Sequence, residues 1–346
     1  LGNTYLKYIK SKKNNLDLEY SKLSVDLTKK IDLKEKKENG IYFTPHSTIK
    51  KNIEFLRPYM NNIKNILEPS CGSCEYIIQL NKEYNNKNII GIEYNKTIYN
   101  SIKYLEKKNI KIYNESYITY NSSICPDLIL GNPPYYVMKK EDVDIIYNNY
   151  FTGRPNIFIL FIIKSLNILN DNGILSFVLP KNFLNCLYYN KTRKFIYKNF
   201  KILTIIECDD NYIETKQETI ILIVQKIQKI QKSITKNKSP TKNKSKTKNR
   251  NKTKNKLETN WVEHNKKYVF INNEYCIFMI PEKKVKIIEL YKNSVRLRDI
   301  NLNVSVGNVV WNQCKDILTN DKTKTLLIYS SDIKNNKLCI QTYSNN

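Results

Sequence analysis

The order of apolar runs in this chain predicts an α/β fold with a doubly wound, mostly parallel sheet. Three observations carry the prediction. Short β-branched runs alternate with amphipathic helical segments up to Gln225. The first run leads into a turn of small residues and then a helix, through Glu68-Pro69-Ser70-Cys71-Gly72-Ser73-Cys74-Glu75. The fourth, Asp127-Leu128-Ile129-Leu130, is stopped by Gly131-Asn132-Pro133-Pro134-Tyr135, a polar loop that cannot continue a central ladder.

Taken in order, residues 1–40 form a lysine-rich arm whose weak helical pattern runs through Leu16, Leu23, Leu27 and Leu33, and it is expected to be exposed. Thr44 reads as an N-cap with Pro45 at the first helical position, ahead of Ile49, Ile53 and Leu56. Strands follow at Ile63–Leu67, Asn88–Ile92 and Ile110–Tyr113, with a helix from about Tyr76 to Tyr84. Beyond the double-proline loop, Glu141–Tyr150 has no clear period and reads as a mobile segment beside the site. Asn156–Leu169 is a buried helix that stops at Asn170-Asp171-Asn172-Gly173. Strands at Ile174–Leu179, Ile202–Glu207 and Thr219–Gln225 complete seven, with a helix near Lys191–Asn199. After the lysine-rich run, two short strands are expected within Tyr268–Phe278, a helix at Val285–Lys292, and strands near Val304–Asn312 and Leu326–Ile328.

In open α/β sheets ligands bind beyond the strands' carboxyl ends, which is where the polar loops fall. Neither Pro133 nor Pro134 has an N–H, so the carbonyls of Asn132 and Pro133 stand as acceptors without turn partners. A planar amino group, such as adenine's exocyclic amine, can donate one hydrogen to the Asn132 side-chain oxygen and one to the Pro133 carbonyl. Tyr135 can stack on its ring. Glu93, about 20 residues past Gly72, suits a pair of ribose hydroxyls. Cys71 and Cys74 have redox or zinc spacing, but zinc requires two more ligands, and small loop residues are the alternative.

Composition bounds the partners. The formal charge of +26 points to a polyanion, nucleic acid before membrane. Between Glu218 and Glu258 there is no acid and there are 13 Lys plus Arg, so 227–257 reads as a disordered linker that can attract phosphate. Two histidines argue against triad or histidine-metal chemistry, and no metal is expected. Eight scattered cysteines suggest a reducing compartment. A chain opening on Leu1 and closing without tail character reads as a piece of a longer one.

Together these segments resemble the gamma class of restriction-modification DNA adenine-N6 methyltransferases, from about Tyr42 to Ser330. The resemblance rests on Tyr42-Phe43-Thr44-Pro45, Leu67 to Cys74, Gly91-Ile92-Glu93, Ser116-Tyr117-Ile118, Asn132 to Tyr135, Val178-Leu179-Pro180 and Val306-Gly307-Asn308-Val309-Val310. It implies a seven-stranded Rossmann-like methyltransferase sheet over 41–226, then a partial target-recognition domain over 258–346. It implies S-adenosyl-L-methionine as cofactor, held by Thr44, Pro45, Glu68, Ser70, Gly72, Glu93, Tyr94, Ser116, Tyr117, Asn132 and Phe161. Catalysis falls to Asn132, Pro133, Pro134 and Tyr135, and Tyr212 is the second aromatic that sandwiches a flipped adenine. Expected partners are double-stranded DNA and a cognate restriction endonuclease, for a monomer in a microbial cytoplasm or a viral replication compartment. Cys74 stands where the family has glycine, which implies a tighter loop and weaker cofactor binding. The rival readings are a protein-glutamine or RNA N-methyltransferase and a weakened DNA-binding remnant.

Overall fold

Six strands running one way and one running against them share a single sheet in the computed structural model. It describes residues 19–122, 124–208, 212–215, 217–227, 261–271, 274–303, 319, 321, 323–328, 330–335 and 337–340. In chain order the strands are β1 (Asn65–Glu68), β2 (Asn88–Ile92), β3 (Ile110–Tyr113), β4 (Leu128–Gly131), β5 (Ile174–Pro180), β6 (Phe200–Glu207) and β7 (Thr219–Lys226). They are laid side by side as β3-β2-β1-β4-β5-β7-β6, with β7 antiparallel to both neighbours. The order reverses between β1 and β4, and this switch point opens a crevice at their carboxyl ends.

The central strands are buried on both faces, as continuous apolar runs require. Successive residues therefore serve different cores. Leu67 and Ile129 join one cluster, while Ile66, Leu128 and Leu130 join the other. The first cluster is filled by α6 (Ile157–Ile168), nine of whose twelve residues are buried. The second contains residues of α1 (Lys22–Lys30), α3 (His46–Leu56), α4 (Glu75–Glu83) and α5 (Lys96–Ile102). α2 (Leu33–Asn39) begins at Asp32, whose side chain accepts from Lys34 N at 2.7 Å, and ends at Gly40 in the left-handed region. Asp127 sets the β1–β4 register from below by accepting both Lys64 N and Asn65 N at 2.9 Å.

Several expectations are revised. The described part of the arm, 19–40, is packed on one side rather than wholly exposed, because Tyr20, Leu27 and Ile31 are buried in the second core. Leu16 of its pattern lies outside the described residues. Pro45, not Thr44, is the N-cap of α3, and no side chain caps it. Helix α5 was not anticipated, although Asn95 caps it by accepting from Ile98 N at 3.0 Å. Leu326–Ile328 form no strand, having no sheet partner among the described residues. The run from 228 to 257 and the segments Val304–Asn312 and Val306–Val310 lie outside the described residues.

The chain divides into compact units at 1–289 and 290–346, a later division than composition suggests. Within the first unit, β8 (Val269–Ile271) and β9 (Cys276–Phe278) form a hairpin whose second strand packs against α7 (Asn190–Asn199). The buried Arg193 fastens it, donating to the carbonyls of Cys276, Phe183 and Cys186. Asn265 accepts from Ile202 N at 2.8 Å and donates to Phe200 O. In the second unit, the guanidinium of Arg296 grips both carboxylate oxygens of Asp299. A short hairpin pairs Ile333–Lys334 with Lys337–Leu338. No described helix is long and apolar enough to cross a membrane.

Candidate functional site

At the switch point, the loop after β1 and the loop after β4 meet directly. Ser70 Oγ donates to the main-chain carbonyl of Asn132 at 3.0 Å. Around that contact lies a cleft of about 600 Å³, within the range that holds a cofactor.

The β1 loop is bent by two left-handed residues, Gly72 at φ 50° and Cys74 at φ 62°. Cys74 caps α4 with its backbone alone, and its N–H closes the turn onto Cys71 O at 2.7 Å. Both cysteines are buried and free, which is the small-residue reading rather than a disulfide. Cys71 N bonds Ile92 O at 2.9 Å, stitching the loop to β2. Gly91 lets α4 come close, since a Cβ there would lie 2.6 Å from Ile77 Cδ1.

Two buried carboxyls face this loop. Glu93 Oε2 accepts from Gly72 N at 2.9 Å and Oε1 from Asn95 N at 2.7 Å. Burial pushes its pKa up to about 7, although both amides work against the rise. Glu68, at the end of β1, is also pushed well above the usual carboxylate range, first by desolvation and then by the neighbouring Cys74 sulfur and the Glu75 and Glu93 carboxylates. Its Oε2 is buried with no hydrogen-bond partner among the described residues.

The β4 loop is held differently. The Tyr135 hydroxyl lies 2.5 Å from Asn132 Oδ1 and 2.7 Å from Val178 O, sharing its one hydrogen between them. Asn132 Nδ2 donates to Tyr42 O at 3.4 Å, so the amide is oriented from both ends. The Tyr135 ring sits edge-on to Phe158, with centroids 5.9 Å apart. Gly40, at φ 63°, lets the chain pass the loop, since a Cβ there would meet Tyr135 N at 2.6 Å.

A third wall comes from the segment after β3. Tyr117 stacks obliquely on Phe161 at 4.9 Å and shares a hydrogen bond with Ser165 at 2.8 Å. Lys164 Nζ donates to the carbonyls of Ile118 and Tyr120, tying the segment to α6.

Of the residues expected from sequence, Ser70, Gly72, Glu93, Tyr94, Ser116, Tyr117, Asn132, Pro134 and Phe161 line the cleft. Thr44 and Glu68 line a smaller crevice that shares Ser70, Gly72 and Asn132 with it. Pro45 lines neither. Pro133 is buried and Tyr135 half-buried, and neither contributes to the cleft wall. Tyr212 lines a separate small crevice with Thr28, Tyr42 and Phe43. Sequence reasoning missed Met138 and Asn95, whose Asx cap was readable; the segment it set beside the site supplies Asp142, Asp144, Ile146 and Tyr147 to the wall.

A family model described as Eco57I restriction-modification methylase matches residues 13–213, more than half of the chain. Modification methylase CviBIII of Paramecium bursaria Chlorella virus NC1A is 32% identical over 205 residues, covering 56% of this chain and 52% of that protein. Type II methyltransferase M.CvrRI of Paramecium bursaria Chlorella virus XZ-6E is 30% identical over 208 residues, covering 59% and 52%. The chain thus spans about half the length of these curated relatives. Among solved structures, a cryo-EM DrdV–DNA complex is 14% identical with TM-score 0.47, covering 59% of this chain and 28% of that one.

Proposed function

The chain belongs to the Eco57I restriction-modification methylase family, and on that premise we propose that it is a DNA methyltransferase using S-adenosyl-L-methionine to methylate the exocyclic N6 amine of an adenine swung out of a duplex. One observation carries the reading: the acid-lined cleft and the Asn132-Pro133-Pro134-Tyr135 loop are joined through Ser70 Oγ and the Asn132 carbonyl. A methyl donor held in the one would stand beside an amine held by the other.

The residues present fit this cofactor. Glu68 Oε2 is a buried acceptor with no partner among the described residues, and a cationic amine would relieve the charge that burial opposes. Glu93 already holds Gly72 N in place and presents its carboxyl to ribose hydroxyls. Tyr117 and Phe161 take the adenine face, with Ser116 and Tyr94 beside them in the wall. When bound, the cofactor supplies a methyl on a sulfonium, a leaving group that needs no acid.

This chain's own residues then align the nucleophile. Asn132 Oδ1 has two lone pairs, so Tyr135 occupies one and leaves the other for an amine hydrogen. The Pro133 carbonyl takes the second hydrogen. Both contacts strengthen as the nitrogen becomes pyramidal and its proton acidic, which directs their effect to the transition state. After transfer the amine's surplus proton leaves to solvent. The ring of Tyr135 flanks the base, and Tyr212 reaches its other face from the crevice that shares Tyr42 and Phe43 with the cleft. The charge of +26 supplies the attraction to a duplex.

The test offers labelled cofactor with duplex DNA, RNA and a protein acceptor. Label at adenine N6 of the duplex is expected. Label on glutamine or RNA, or calorimetry showing no cofactor binding, overturns the reading.

A further inference from the structure

Helices α1 and α2 take no part in the chemistry above, yet they touch three loops of the site. Ser24 Oγ lies 2.8 Å from Ser73 Oγ and from Glu75 Oε1, while His46 Nε2 holds Glu75 Oε2 at 2.9 Å. Glu35 Oε1 accepts from Asn95 Nδ2 at 2.6 Å, and Asn95 N is the donor to Glu93. Lys36 sends its ammonium to the Thr28 carbonyl and, at 2.8 Å, to Glu214 Oε1.

The last contact is unlike the others. A lysine in a basic arm belongs in water, with its charge free. Lys36 is instead only 3% exposed, and its carboxylate partner lies 178 positions away. Glu214 is two residues from Tyr212, and the crevice that holds Tyr212 has Thr28 as another wall, the same residue whose carbonyl binds Lys36. A sequestered ion pair contributes little net stability, but losing one partner strands the other charge, so such pairs set registry rather than raise stability.

We infer that Lys36 is a positioning residue for the segment that carries Tyr212. Its ion pair with Glu214 pins residues 212–215 against α1 and sets where the Tyr212 ring stands when a base leaves the duplex. This rests on the reading of the chain as a base-flipping methyltransferase. Neither member of the pair hydrogen-bonds Glu68 or Glu93, so its loss acts on the target side of the reaction.

The full chain is compared with Lys36→Met, Glu214→Gln and the exchanged pair Lys36→Glu with Glu214→Lys. The Glu214 side chain is 23% exposed and the residue lies at the surface, so Glu214→Gln carries the test if the lysine variant fails to fold. Both single variants are expected to keep cofactor affinity by calorimetry and to lose about ten- to a hundredfold in kcat on a paired duplex. The loss shrinks when the target adenine is mismatched, amide exchange at 212–215 quickens while that at 70–75 does not, and the exchanged pair regains activity. Equal losses on both duplexes, unchanged exchange at 212–215, or affinity falling in step with kcat overturns the inference. A parent chain that binds no cofactor sinks the functional reading instead, and the exchange measurement still decides whether the pair holds the segment.

Discussion

The loops after β1 and β4 leave neighbouring strands at the same edge of the sheet and are held by opposite means. The β1 loop is shaped by backbone strain and buried acid: Gly72 and Cys74 are left-handed, and Glu68 and Glu93 sit under it with raised pKa values. The β4 loop opens on one positive-φ residue, Gly131 at φ 146°, but carries no acid of its own. Its stiffness comes from two prolines and its aim from groups elsewhere, namely Ser70, Tyr42 and the Tyr135 hydroxyl shared with Val178. The first is therefore tuned by charge and the second by geometry. Damage to the first should show in affinity and pH dependence, and damage to the second in rate.

The sharpest test of that division is Asn132→Ala. It should lower kcat by about 10²–10³-fold, as loss of a preorganised transition-state contact does, while cofactor affinity stays within a few-fold. A parallel loss of affinity would erase the distinction. Next comes Glu93→Gln, expected to weaken cofactor binding about 10- to 100-fold, the range for a hydrogen bond to a charged group, with calorimetry as the measurement.

The same variant carries the pH prediction. Glu93 titrates near 7 in the folded protein against an ordinary 4.5, so folding favours its protonated form. Its contribution to stability is full below about pH 4.5 and is lost as pH rises through about 7. Melting temperature over that window should fall more steeply in the parent than in Glu93→Gln, and parallel curves would remove Glu93 as the cause. Cofactor affinity should move the other way, rising with pH because the carboxylate is the stronger acceptor.

Smaller effects sharpen the geometric side. Tyr135→Phe frees Asn132 Oδ1 but lets the amide turn, so kcat should drop about tenfold, equivalent to ~1.4 kcal/mol. An unchanged rate would show that the Tyr42 carbonyl alone orients it. Cys74→Gly is expected to shift the denaturant midpoint least. Relief of a left-handed side chain worth about 1–2 kcal/mol is offset by the lost buried thiol and by the freer unfolded chain, which costs about 0.5–1 kcal/mol. A large gain in cofactor affinity would show that Cys74 tightens the loop.

Much of this site was legible because punctuation is local. Pro133, Pro134 and Gly131 had to end β4, and Gly72 had to open a turn before α4, whatever packed around them. Glu93 was found by spacing from that turn. The arm was misjudged because its lysines look like a solvated face, and nothing near Lys36 in the chain announces Glu214. The segment 141–150 was set beside the site, but its conformation was not legible: two single helical turns have no period, and the burial of Val143 and Tyr147 fixes them.

By itself, the order of residues determined the succession of strands and helices, the two loops that interrupt it and the acids at strand ends, since propensity, proline and glycine act within a few positions. Tertiary structure alone decided that Ser70 meets Asn132, that Tyr135 turns its hydroxyl onto Asn132 and Val178, and that Lys36 closes on Glu214. Those partners are chosen when the faces of β1, β4 and the arm are packed and unsatisfied polar groups must find one another out of water.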